Sequence, residues 1–156
     1  MTVTYTPRQL RNVAAISQEA FRHWKKVLPP LCRGSGRGGR FSAGDLLAVV
    51  IIRGLTSDFS IRVGAISPIA TPLFGICNAT PWPNLERSKL TISLVDDDLQ
   101  FLQETAHVIC GKPIIVVPLR PMVEYLRSAL PAEEGADRQR GLLLAPTPLP
   151  SRAGST

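Results

Sequence analysis

The chain has 156 residues, 44% of them hydrophobic and 19% charged, which suits one folded domain, or a small domain with an accessory piece, and excludes a wholly disordered chain. Its apolar runs, such as residues 46–52 and 114–117, are too short to cross a bilayer, and residues 1–11 lack an apolar leader core, so neither a membrane span nor a secretory signal is expected. The formal charge of +6 is uneven: in residues 1–66 ten bases face only Glu19, Asp45 and Asp58, a balance of +7, while residues 67–156 come to −1.

A local excess of this kind attracts a polyanion and releases its counterions; a solubilising surface is the plainer alternative. Cys32, Cys77 and Cys110 are an odd number at wide spacing, unlike a disulfide framework or a zinc module, and suit a reducing cytoplasm.

Thr6-Pro7 opens a helix over residues 6–14, with Leu10, Val13 and Ala14 on its buried face. After a break at Ala15-Ile16, Ser17 caps a second helix over residues 18–26, which Pro29-Pro30 ends. Residues 31–41 mix Gly34, Gly36, Gly38 and Gly39 with Arg33, Arg37 and Arg40. Ser42 to Asp45 has the form of a capping box and opens a third, broadly apolar helix. Phe59-Ser60 introduces a short fourth one. Pro68, Pro72, Pro81 and Pro83 mark residues 67–88 as a Pro-rich linker or irregular lid. Leu90, Ile92 and Leu94 alternate with polar residues as in a strand, Asp96-Asp97-Asp98 forms a turn, and residues 99–103 return as the second arm of a hairpin. A third strand is expected at residues 114–117 and a helix at 121–130; residues 131–156 form a flexible tail.

At about 100° per residue, the second helix divides cleanly. Gln18, Glu19, Arg22, His23, Lys25 and Lys26 fall on one arc, and Ala20, Phe21 and Trp24 on the other. An ordinary surface helix has the same form, but so does a helix that is rigid on the protein side and polar toward a DNA groove. Arginine there can pair with guanine O6 and N7 or clamp a phosphate, Gln18 can pair with adenine, and lysines suit phosphates. The glycine-arginine stretch reads as a hairpin tip that approaches a sugar-phosphate wall; a plain flexible loop is the alternative. It lacks the Gly-Lys-Ser/Thr ending of a nucleotide loop.

In order and spacing, Tyr5-Thr6-Pro7-Arg8-Gln9-Leu10, Ile16-Ser17-Gln18-Glu19-Ala20-Phe21-Arg22-His23-Trp24, Arg40-Phe41-Ser42, Asp45-Leu46 and Asp58-Phe59-Ser60-Ile61 resemble the DNA-binding head of MerR-family regulators, over residues 5–66. The resemblance implies a winged helix-turn-helix of about four helices with a β-wing. Arg22 would be the main recognition-helix contact, with Gln18, His23, Lys25 and Lys26 around it, Arg33, Arg37 and Arg40 on the wing, and Leu10, Ile16, Phe21 and Trp24 in the core. The family's long dimerisation helix is not expected, because Pro68 and Pro72 follow, and Cys77 and Cys110 are ungrouped and expected in apolar packing rather than on a metal.

The expected fold class is therefore α+β: a winged head at 1–66, a linker at 67–88, a small α/β segment at 89–130 that packs on the head or on a second copy as a dimerisation module, and a tail. The expected function is a sequence-specific regulator of bacterial or phage type that binds double-stranded DNA in the cytoplasm, on the nucleoid, as a homodimer or cooperative array, with RNA polymerase as a candidate partner. An architectural DNA-binding role of excisionase or terminase type and a protein-interaction adaptor are the alternatives. His107 has no catalytic companion and the Asp96–Asp98 run lacks the spaced ligands of a calcium loop, so no enzymatic activity, cofactor or metal is expected.

Overall fold

The computed structural model describes residues 3–32 and 40–130. The chain is α+β. Helices α1 (Pro7–Ala14) and α2 (Gln18–Val27) lead into a short 3-10 turn at Pro29–Cys32, then α3 (Ala43–Asp58), α4 (Val63–Ala79) and the single turn α5 (Trp82–Glu86). Strands β1 (Ser88–Ser93), β2 (Asp98–Gln103) and β3 (Ile115–Pro118) follow, and a last helix, α6, begins at residue 120 and reaches residue 130.

The caps expected from the sequence are in place. Thr6 and Gln9 form a capping box on α1, Ser17 Oγ accepts from Ala20 N–H, and Ser42 and Asp45 cap α3 reciprocally. Each satisfies backbone donors that a helix start leaves unbonded.

α3 is buried almost all round, from Leu46 to Ile52, and forms the centre of the molecule. α1 and α4 both pack on it, and α4 returns antiparallel. The return closes tightly: a Cβ on Gly44, at the start of α3, would come within 2.7 Å of the Cys77 carbonyl oxygen and 2.8 Å of Asn78 Cα near the end of α4. Asn78 Nδ2 also donates to Asp45 at 2.9 Å, and Ser42 Oγ meets the Asn78 side chain.

The sheet has the order β2-β1-β3, antiparallel throughout, with Leu90 opposite both Phe101 and Val117, and Ile92 opposite both Leu99 and Ile115. These six share one face, which period-two alternation separates from Lys89, Thr91 and Ser93. Leu90, Ile92 and Val117 join Leu119, Val123, Leu126 and Leu130 in the same buried cluster as Leu10, Trp24 and α3. Residues 89–130 thus pack on the N-terminal helices and share their core.

α6 is tied to α1 directly. Tyr125 Oη donates to the Val13 carbonyl at 2.5 Å, one of the last carbonyls of α1, which a helix end leaves without an internal partner. Tyr125→Phe removes this bond and should destabilise the chain by about 1 kcal/mol, read as a lower urea midpoint at unchanged slope. An unchanged midpoint would show that the bond contributes nothing.

The expectation of a linker at 67–88 is corrected. α4 continues through Pro68 and Pro72 to Ala79, and α5 occupies much of the rest, so the boundary at residue 66 falls inside a helix. The fourth helix is correspondingly long and starts at Val63, not at Phe59-Ser60. The prolines are four residues apart and both exposed, and the carbonyls they leave unbonded, of Gly64 and Pro68, lie on that same outer stripe. The opposite stripe, Ile66, Ile69, Ala70, Leu73 and Phe74, is buried against the core and holds the helix together.

The cysteines divide. Cys77 is packed in the core as expected, and burial, with the Asp45 carboxylate adding to it, pushes its thiol up to about 12. Cys110 is exposed, contrary to the expected apolar packing, because the β2–β3 connection carries it outside the sheet; Cys32 is exposed too. A water-soluble disulfide reagent at mildly alkaline pH should therefore modify Cys32 and Cys110 in the native protein and Cys77 only after denaturant is added. Fast reaction of a third thiol would contradict the burial of Cys77.

Candidate nucleic-acid interface

α1 and α2 are joined by the three residues Ala15, Ile16 and Ser17. Ala15 makes the turn in the left-handed region (φ 53°), and its N–H returns to the Arg11 and Asn12 carbonyls. An alanine there is strained by about 1 kcal/mol relative to glycine, so the conformation must be held from outside. Arg53 on α3 supplies part of the hold: its Nε donates to the Ala15 carbonyl at 3.3 Å.

α2 then presents the divided face that its sequence requires. Phe21 and Trp24 are buried, and Phe21 meets Phe41 edge-on with ring centroids 6.1 Å apart. Gln18, Glu19, Arg22, His23 and Lys26 are exposed together on the outer side. Lys25 departs from the expected arrangement in part: it is half-buried, with Nζ 5.6 Å from the Phe21 ring centroid. The far end of α2 is anchored by Ser67 Oγ, which donates to the Val27 carbonyl at 2.8 Å, and by the Cys32 thiol, which donates to the Lys25 carbonyl at 2.6 Å. Lys25 and Lys26 in the last turn complement the negative end of the helix dipole.

Tyr5 and Phe41 exchange backbone hydrogen bonds at 2.7 and 2.8 Å in an isolated antiparallel bridge, and Arg40 immediately precedes it. Its guanidinium is exposed and reaches Thr4 Oγ1 at 3.4 Å. Phe41 of this bridge packs on Phe21 of α2, while Arg40 lines a cleft with Asp45, Phe74 and Asn78. The expected wing contacts Arg33 and Arg37, and the glycines around them, lie outside the described residues.

The electrostatics of this surface are one-sided. Among the described residues every ion pair falls between residues 86 and 127: Lys112 with Asp96, Arg120 with Glu104, and Arg127 with Glu86. None involves a base of the N-terminal region, so Arg8, Arg11, Arg22, Lys25, Lys26, Arg40, Arg53 and Arg62 have no carboxylate partner among the described residues. Glu19 is the one acid on the α2 face.

Arg53 is the site residue that the sequence reading missed. Its signal is visible afterwards: it is the only charged residue in the otherwise apolar stretch 46–55, where a charge has to reach out of the core. No group of three or more His, Cys, Asp and Glu side chains with metal-binding proximity occurs among the described residues, and no described helix is long and apolar enough to cross a membrane.

Compared with protein-family models and with curated proteins, the chain matches none.

Proposed function

We propose that the chain binds double-stranded DNA through α2, as a sequence-specific transcription regulator of bacterial or phage type with a head of the MerR winged helix-turn-helix kind. The observation that carries this reading is the outer face of α2, where Gln18, Arg22, His23 and Lys26 stand exposed, with no carboxylate partner among the described residues, on a helix locked to the core by Phe21 and Trp24. An α-helix is about 10–12 Å across with its side chains, which a major groove about 12 Å wide admits.

The roles follow from chemistry. Arg22, near the middle of the helix, suits paired hydrogen bonds to a guanine, and Gln18 suits an adenine. Lys26 and Lys25 suit phosphates, and His23 offers one further donor. Glu19 accepts from a cytosine amino group and disfavours a phosphate at the same spot. Arg40, with Arg33 and Arg37, supplies the wing contacts to the backbone or minor groove. A single head of this size buries little DNA surface, so pairing of copies on adjacent half-sites, as a homodimer or array, belongs to the proposal, and RNA polymerase would be met at a promoter.

Selection from a randomised duplex pool tests it. Enrichment of a short motif, lost when Arg22 is replaced by alanine, is the expected result; a pool that stays random at low salt contradicts sequence-specific binding.

A further inference from the structure

The sheet has a second face that the core does not use. Thr91 and Ser93 point to it, yet they are only 5% and 8% exposed, as buried as many core side chains. The β2–β3 connection accounts for this. Lys89 Nζ donates to the Glu104 and Ala106 carbonyls, and Lys112 Nζ bonds Asp96 at 2.8 Å, so the connection is drawn across the outer face of β1 from both ends. Between it and the strands lies a cleft of about 420 Å³. Cavities of this size hold small organic ligands.

Two groups in the cleft are unspent. Thr91 lines it and its hydroxyl has no hydrogen-bond partner, although the residue is 95% buried. The oxygen itself keeps some exposure to the cleft, so a bound polar group would take the place of water there. The other group is Asp98. Lys112 neutralises Asp96, and its hydrogen bond holds that carboxyl below its ordinary value. Among the described residues Asp98 has no cation and accepts only from Gln100 Nε2, at 3.1 Å. With Ser93 opposite Asp98 and Thr91 opposite Gln100, Asp98 and Thr91 are diagonal neighbours on this face, about 7 Å apart at the backbone. Val108 and Ile114 supply apolar wall.

We propose that this cleft binds a small organic ammonium ligand with a second polar group, its cation on Asp98 and its hydroxyl or carbonyl on Thr91. The charges choose the sign: two carboxylates face one lysine, and that lysine is already engaged. A metal ion is disfavoured, because it would have to displace Lys112 from Asp96 and because no group of three metal-binding side chains converges among the described residues. The site owes nothing to DNA binding and can stand if that reading falls.

Amide NMR of the full chain titrated with ethanolamine tests it, with sodium chloride at matched ionic strength and sodium acetate as controls. Expected are saturable shifts at Thr91, Ser93, Gln100 and residues 108–112 with a Kd near about 1 mM, weakened about tenfold in both Thr91→Val and Asp98→Asn. Asp98 is exposed at the hairpin end, so Asp98→Asn keeps the test open if Thr91→Val fails to fold. Shifts that do not saturate, that sodium chloride reproduces, that acetate but not ethanolamine produces, or that persist unchanged in a folded variant would overturn the proposal.

Discussion

Gly44→Ala should destabilise the chain by roughly 2–3 kcal/mol and lower its thermal midpoint by about 6–12 °C. The substitution adds one methyl group to a helix, which elsewhere is favourable. At Gly44 that methyl would stand 2.5 Å from Asn78 Oδ1, 2.7 Å from the Cys77 carbonyl oxygen and 2.8 Å from Asn78 Cα. The first of these can swing aside; the other two are backbone, and they can yield only if α4 moves off α3. Such a shift also strains the Ser42, Asp45 and Asn78 contacts that join the same two helix ends. Gly75, exposed in α4 with open space where a Cβ would be, provides the contrast. Gly75→Ala should stabilise by about 0.5–1 kcal/mol through its lower backbone entropy in the unfolded chain. Thermal unfolding followed by circular dichroism measures both. Similar midpoints for the two variants would contradict the close approach of α3 and α4.

Arg22→Ala should weaken binding to a selected duplex by about 1–3 kcal/mol, roughly five- to 150-fold, without changing the thermal midpoint. Both halves follow from where Arg22 stands. It is exposed and forms no ion pair among the described residues, so their fold does not depend on it. Its helix is fixed by Phe21 and Trp24, so the guanidinium meets DNA from a rigid base. Arg22→Lys separates two ways of contacting DNA. Lysine keeps the charge and loses the planar fork, so a phosphate contact would largely survive and a guanine contact would not. Affinity measured on the selected duplex and on a scrambled one reads the difference. Equal affinity of Arg22→Ala and wild type on both would contradict a role for this side chain.

Much of this architecture could be read from residue order. Thr6, Ser17 and Ser42 are cap residues with local partners three positions on, and local chemistry of that kind does not depend on the rest of the fold. The hairpin and third strand follow from alternation and β-branched runs, and the α2 wheel from helical period alone. α4 was not legible, because proline weighs heavily in local preference while the burial of Ile66, Ile69, Ala70, Leu73 and Phe74 is a tertiary effect. Cys110 misled for the same reason: composition places a cysteine inside, and only the path of the β2–β3 connection places it outside. The candidate site was legible in its helix and in Arg40. Arg53 was not, since its bond to the Ala15 carbonyl spans 38 residues. The half-burial of Lys25 follows from its place at the border of the polar arc, one helical turn from the Phe21 ring and about 40° from it on the wheel.

The most direct test of DNA binding by the α2 face is the affinity for one duplex measured from about 50 to 200 mM salt, for wild type and for Lys26→Ala. Contacts to several phosphates predict that log K falls linearly with log salt, by about 0.9 per phosphate neutralised, and that removing Lys26 reduces the steepness by about 1. No binding at the lowest salt, or a slope that Lys26→Ala leaves unchanged, would contradict it.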